Sequence, residues 1–370
     1  MTFHRRDLLA AAVGLPTLGF AANAAAAEPD LHLDALLAET GAPAVAFAVV
    51  TKDGVLRQEA AGVRHLGAPD KVTIHDLWHI GSNTKAMTAA MYGKLVEKKR
   101  AAWGAAVPSL FADLKTDPAW AAITIEDLLS HRAGISDPPV MAIGWLMRAQ
   151  GDKRPVAEQR TELAAQVFGA APHGKPGMFE YSNVGVILAG AAIERIVRTS
   201  WEEAITRELF KPLGMASAGF GAPTGAQPWG HLGNTPGHLT PVDPAGVADN
   251  PPALGPAGRV RLTLADYAKF ARLFLTQGGG YLTPATITHL TTPRPGDGQP
   301  YALGWAQADR PWAKGLVLAH EGSNTMWHAV TIIAPARGLA FLTACNAGPE
   351  GSKRAAYTLA HQLQLAYAPA

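Results

Sequence analysis

The chain has 370 residues, 48% hydrophobic and 17% charged, which excludes a disordered or fibrous protein and allows a substantial core. Thirty-two Lys and Arg against 30 Asp and Glu give a net charge of +2, inviting neither nucleic acid nor an acidic membrane surface as a partner. The single Cys345 cannot form an intramolecular disulfide and excludes Cys-rich zinc or iron–sulfur sites.

Residues 1–27 read as an export signal rather than as fold. A short basic start with the Arg5-Arg6 pair precedes an apolar run from Leu8 to Ala22 and the small-residue stretch Ala22-Asn23-Ala24-Ala25-Ala26-Ala27. The arginine pair points to a twin-arginine route, hence to a periplasmic or secreted protein. An uncleaved anchor over Leu8–Ala27 is the alternative; Pro16 and the small residues oppose it, so no stable membrane insertion is expected after cleavage.

Along the mature chain, Pro43–Val50 is a short apolar run, Asp53-Gly54 reads as a hairpin turn and Val55–Val63 as the returning strand. Ser82–Lys99 has helical spacing through Met87, Met91, Leu95 and Val96, with Lys98-Lys99-Arg100 at its C-terminal end. Ile125–Ser130, Glu158–Phe168 and Val184–Arg198 are further helical patterns, and Leu264–Leu275 is amphipathic. Three strand-like runs follow, Gly315–Ala319, Trp327–Ile333 and Gly338–Cys345, and then a helix over Lys353–Leu365. Strands at both ends with helices between them predict an α/β (α+β) fold, one sheet built from both chain ends and flanked by helices. The expected organisation is an α/β lobe from 28–100 and 256–370, and a mostly helical lobe over 101–255. The chemistry is expected in the cleft between them, with residues 136–175 and 217–256 shaping its walls.

Three short motifs carry chemistry. Ser82-Asn83-Thr84-Lys85 puts a hydroxyl and an amine nearly one helical turn apart, on one face. A serine needs a base to become a nucleophile, and a lysine serves only if burial or nearby positive charge lowers its pKa. Such a pair arises by chance roughly 0.3 times in this composition, so alone it weighs less than the plainer reading, a capping serine and an exposed lysine. Tyr181-Ser182-Asn183 offers a phenol whose pKa a nearby lysine ammonium can lower, and an amide able to orient that lysine or bind a substrate carbonyl. His320-Glu321-Gly322-Ser323 follows an apolar strand; Gly322 permits close approach of a substrate, and the Ser323 N–H can join that of Ser82 as an oxyanion hole.

In this order the three motifs resemble the class C β-lactamase-like serine hydrolases, a family that includes D,D-carboxypeptidases, D-aminopeptidases and esterases. Ile80–Lys85, Ile123–Ile135 with its Leu-Leu-Ser-His core, Pro176–Asn183 and Ala257–Phe270 are similar to further family segments, and the resemblance runs from about residue 40 to 350. It implies a β-lactamase/transpeptidase-like fold with a mostly helical inserted lobe. It also implies Ser82 as the acylated nucleophile, proton transfer shared by Lys85 and Tyr181, and Asn183 orienting the amine and the substrate. The amides of Ser82 and Ser323 would form the oxyanion hole, with His320 and Gly322 at the substrate.

His320 stands where class C β-lactamases carry a lysine. A lysine is a permanent charge for a substrate carboxylate, whereas a histidine is mostly neutral at pH 7. The departure argues against efficient β-lactam hydrolysis; the His form resembles the family's peptidase and esterase branches, which implies an ester, a small amide or a D-amino-acid peptide as a small-molecule substrate. A penicillin-binding or cell-wall-fragment sensor with little turnover is the competing reading, and acyl transfer to an acceptor other than water uses the same residues.

Other histidines carry less. His75 and His79 stand at i, i+4 but lack a metalloprotease glutamate, so no metal is assigned. His231 and His238 read as cleft-lining or solvated loop residues, His131 as a satisfied structural histidine and Cys345 as a small core residue. No Gly-rich phosphate loop follows a strand, so no nucleotide cofactor is implied.

Overall fold

The computed structural model describes residues 29–233, 238–348 and 350–369. The export signal expected over residues 1–27 lies outside the described residues. Residues Leu31–Ala370 fold as one unit.

Its centre is a six-stranded antiparallel sheet that takes strands from both ends of the chain. Across the sheet the order is Val55–Gly62, Ala44–Thr51, Leu339–Cys345, His328–Ala334, Gly315–Ser323 and Ala306–Arg310. The first and last portions of the chain meet where Val45 pairs with Cys345 and Thr51 with Leu339. Ala44–Thr51 is an unbroken apolar run because both of its faces are covered. Ala44, Ala46, Ala48 and Val50 face the larger core, whereas Val45, Phe47 and Val49 face the opposite layer, where the helices Leu33–Thr40 and Glu350–Tyr367 pack. The alanines on the first face let the amphipathic helix Leu264–Leu275 lie close against the strand.

The Asp53-Gly54 turn forms as expected, with Thr51 N–H donating to Gly54 O at 2.8 Å. The edge strand Ala306–Arg310 escaped the sequence reading, because Ala-Gln-Ala-Asp-Arg is too polar for a strand signal and pairs on one side only. The chain between the two strand groups alternates helices with loops. It includes Ile125–Leu129, held at its start by reciprocal bonds between Thr124 and Asp127, then Val156–Phe168 and Asn183–Val197. A small sheet of Trp78–His79, Val260–Leu262 and Gly219–Phe220 joins distant segments beside the start of the Thr84–Glu97 helix. Among the described residues no helix is long and apolar enough to cross a membrane.

Candidate active site

The helix expected from Ser82 begins two residues later. Gly81 adopts φ +50°, in the left-handed region that favours glycine, and Gly81–Asn83 form a tight 3-10 turn before the helix Thr84–Glu97. Asn83 fastens this turn by donating from Nδ2 to Ile80 O at 2.8 Å and to Ala329 O, on the main sheet, at 3.3 Å. Ser82 is thereby held at the mouth of the helix, with Lys85 one turn behind it.

Lys85 is 1% exposed. Its Nζ donates to Ser82 Oγ at 2.9 Å, Asn183 Oδ1 at 2.8 Å and Ala257 O at 2.7 Å. Burial pushes its pKa down to about 7, against the pull of the Asp137 carboxylate. A neutral amine keeps two N–H groups and one lone pair. Of the three partners only the Ser82 hydroxyl carries a proton to give, so in the neutral state the lone pair faces Ser82.

The Asn183 orientation that this requires is enforced by Asp137, a residue the sequence reading missed. Asp137 Oδ2 accepts from Asn183 Nδ2 at 2.9 Å and Asn183 N at 2.8 Å, and Oδ1 accepts from Ser182 Oγ at 2.7 Å and Val184 N at 3.0 Å. The carboxylate thus caps the helix Asn183–Val197 and turns the Asn183 carbonyl towards Lys85. The signal available was Ser136-Asp137-Pro138-Pro139, a helix-start pattern, but the helix it serves lies far away in sequence.

Tyr181 is part-exposed, lining a cavity that opens over Ser82. Its ring stands 4.9 Å from Lys85 Nζ. The lowering of its pKa that a lysine neighbour suggested does not occur. Burial raises it, the Ser82 hydroxyl draws it back only in part, and Asp137 and Glu321 add to the rise. The phenol therefore keeps its proton at neutral pH, and Lys85 is the group poised to accept one.

His320 is buried, and both of its nitrogens are occupied. Nδ1 donates to Glu321 O at 2.6 Å, because a carbonyl only accepts, and Nε2 then accepts from the Tyr301 hydroxyl at 2.8 Å. Burial, with Lys85 nearby, lowers its pKa to about 4, so the ring is neutral at pH 7. Glu321 points the other way, to His328 Nε2 at 3.0 Å, as strand alternation requires. Tyr301, also unforeseen, completes an aromatic wall with His131 and Phe179.

Gly322 and Gly81 meet backbone to backbone. A Cβ on Gly322 would stand 2.4 Å from Ser82 N, and one on Gly81 would stand 2.4 Å from Ser323 N. Only two glycines allow the two amides to come this close. A cavity of about 760 Å³ opens over them, lined by Ser82, Tyr181, His320, Gly322 and Ser323, with Leu232 and Gly233 from the expected wall segment. All seven residues singled out from the sequence thus gather around one centre, Lys85 and Asn183 behind the lining.

The remaining histidines depart from expectation in part. His231 is neither solvated nor cleft-lining but fully buried, with Nδ1 donating to Asn346 O at 2.7 Å and Nε2 accepting from Leu66 N–H at 3.1 Å. His131 is buried as a structural residue, its Nδ1 accepting from Ser182 N–H at 3.1 Å, yet its Nε2 has no hydrogen-bond partner among the described residues. His79 lies on a strand rather than a helix and faces Asp249. Among the described residues no group of three His, Cys, Asp or Glu side chains could hold a metal ion.

With fold and site in view, the chain belongs to the β-lactamase family, whose model matches residues 29–365. It is a family of serine hydrolases. A penicillin-binding protein 4 of Amycolatopsis lactamdurans is 31% identical over 67% of this chain and 63% of its own length. An unguisins hydrolase of Aspergillus campestris is 26% identical over 74% of this chain and 53% of its own length. The matches therefore span less than two thirds of these relatives. Among solved structures, the octameric penicillin-binding protein homologue from Pyrococcus abyssi superposes with a TM-score of 0.73, covering 91% of this chain and 78% of its own, at 23% identity. That likeness shows the fold.

Proposed function

We propose that the protein hydrolyses an ester, a small neutral amide or a D-amino-acid peptide through an acyl-Ser82 intermediate. The observation that carries this is the Lys85 amine, buried, 2.9 Å from Ser82 Oγ and with its pKa lowered to about 7. Ser82 Oγ bonds to the substrate carbonyl carbon as its proton passes to Lys85 Nζ. The carbonyl π pair moves to oxygen, which is held by the N–H groups of Ser82 and Ser323. Collapse of this intermediate expels the leaving group, which takes the proton from Lys85 by way of the Tyr181 hydroxyl. Water then attacks the acyl-serine along the same proton path in reverse, releasing the acid and restoring Ser82.

The neutral His320 supports this substrate class. With both ring nitrogens engaged, it offers no cation to a carboxylate, which favours substrates with no carboxylate at that subsite over β-lactams. The names of two relatives, a penicillin-binding protein and an unguisins hydrolase, support keeping amide and peptide substrates beside esters. A sensor with little turnover is not favoured, because a lysine free of its proton beside Ser82 serves deacylation as well as acylation. Residues 1–27 support export to the periplasm or beyond as part of the same proposal.

The test is a panel of p-nitrophenyl butyrate, a D-alanine p-nitroanilide and a cephalosporin, each assayed with the wild type and Ser82→Ala. The neutral ester is expected fastest and the carboxylate-bearing cephalosporin slowest, all dependent on Ser82. A cephalosporin turned over fastest would overturn the substrate class, and equal rates without Ser82 would overturn the mechanism.

A further inference from the structure

Asp249 lies in none of the three motifs, yet it joins the two arms of the site. Its side chain is 6% exposed. On one arm, Asp249 Oδ1 stands 3.0 Å from His79 Nε2, and His79 Nδ1 accepts the Gly81 N–H at 3.2 Å. Because Nδ1 accepts, the ring proton sits on Nε2, the nitrogen within ion-pair distance of the carboxylate, although the pair does not reach hydrogen-bond geometry. On the other arm, the same Oδ1 accepts from Asn324 Nδ2 at 2.8 Å. Asn324 Oδ1 in turn accepts from Met326 N and Trp327 N at 3.2 and 3.1 Å, closing the turn after Ser323. The second oxygen, Oδ2, accepts from Arg259 Nε at 3.0 Å, next to Val260, whose carbonyl receives the Ile80 N–H at 3.0 Å.

We propose that Asp249 is the positioning residue of the oxyanion hole, fixing the Gly81–Ser82 turn through His79 and the Ser323 end of its strand through Asn324. The geometry demands such a device. The two amides belong to segments far apart in sequence, they meet only across Gly81 and Gly322, and φ +50° at Gly81 must be held against alternatives open to glycine. The one carboxylate accepts from Asn324 and from Arg259 while standing 3.0 Å from the His79 ring, so it touches both segments at once. His79 and Asn324 are both buried, so neither arm has water to replace it. The Trp327 ring, centred 5.9 Å from that of His79, packs the two arms together. This role rests on the acyl-serine reading above.

The experiment uses the full chain with Asp249→Asn, His79→Gln and Asn324→Ala, each altering one part of the relay, beside Ser82→Ala. Each is assayed on p-nitrophenyl butyrate across pH, and for inhibition by an alkyl trifluoromethyl ketone, whose adduct needs the hole. An amide displaced from the developing oxyanion costs kcat, roughly tenfold to a hundredfold, while KM stays within about threefold. The inhibitor is expected to weaken by a similar factor, and the pH limb of the base to keep its place. General loosening of the site would instead raise KM and move that limb up as Lys85 regains water. Such a pattern, or kcat within twofold of wild type in His79→Gln and Asn324→Ala, overturns the proposal. Those two variants decide the matter if Asp249→Asn does not fold. Ester turnover surviving in Ser82→Ala overturns the acyl-serine reading, and the positioning role with it.

Discussion

The Lys85 amine and the Ser82 hydroxyl, 2.9 Å apart, form a pair in which proton flow has one direction at rest. The other two partners of the amine, Asn183 Oδ1 and Ala257 O, are acceptors without a proton. Of these three partners, only Ser82 can give a proton to the neutral Lys85. A buried lysine with its pKa near 7 reaches that state at physiological pH.

Activity should therefore follow the deprotonation of Lys85. For an uncharged ester, kcat/KM is expected to rise with pH through a midpoint near 7 and then level off. Lys85→Met is expected to lose roughly 10²–10⁴-fold, with the limb gone from what remains. A pH–rate profile between pH 5.5 and 9 checks both, and a limb above pH 9 would contradict the assignment.

Tyr181 carries a proton rather than removing one. Its pKa lies above the ordinary phenol value, so no second inflection from it belongs below pH 10. Tyr181→Phe is expected to lower kcat roughly 10²-fold or more by removing the relay to the leaving group, with the Lys85 limb still near 7. In kcat/KM, which reports acylation, leaving groups that need no proton, such as p-nitrophenolate, should suffer less than alkoxides. Equal losses for both would argue against the relay.

At His320 a charge change should redirect specificity. His320→Lys places an ammonium at the subsite where a neutral ring now sits between Tyr301 and the Glu321 carbonyl. The ratio of kcat/KM for a carboxylate-bearing β-lactam to that for the neutral ester is expected to rise at least tenfold. A ratio unchanged by the substitution would sink the neutral-substrate reading.

Buried neutral histidines also tie stability to pH. Burial lowers the pKa of His231 and His320 to about 4, and that of His131 well below its usual value. The unfolded chain takes up these protons first, near pH 6.5. Their contribution is complete above that pH and is lost as pH falls towards 4. For His231, held on both nitrogens, the slope is at most about 1.4 kcal/mol per pH unit. Urea unfolding at pH 7 and pH 5 should show a shallower fall for His231→Asn than for wild type. Parallel lines would contradict it.

How much of this was legible beforehand depended on whether the signal was local. The strand Ala44–Thr51, the Asp53-Gly54 turn, the helix Leu264–Leu275 and all three motifs announce themselves through neighbouring residues. The nucleophile helix starts later than its spacing predicts, because periodicity does not register a φ of +50° at Gly81. The edge strand Ala306–Arg310 was missed because it is polar and paired on one side. Asp137, Tyr301 and Asp249 act across loops, and only the folded chain brings them to Asn183, His320 and His79. His231 looked like a loop residue among glycines and prolines because its two partners, Leu66 and Asn346, come from opposite ends of the chain.

The most direct measurement is the covalent state of Ser82 during turnover. The protein is mixed with p-nitrophenyl butyrate, acid-quenched within the first turnover and digested, and the peptide holding Ile80–Lys85 is weighed. A gain of one butyryl group on Ser82, absent in Ser82→Ala and slow to form in Lys85→Met, is the predicted result. Full turnover with that peptide unmodified in Tyr181→Phe, where release of the acyl group is slowed, would contradict an acyl-serine mechanism at this site.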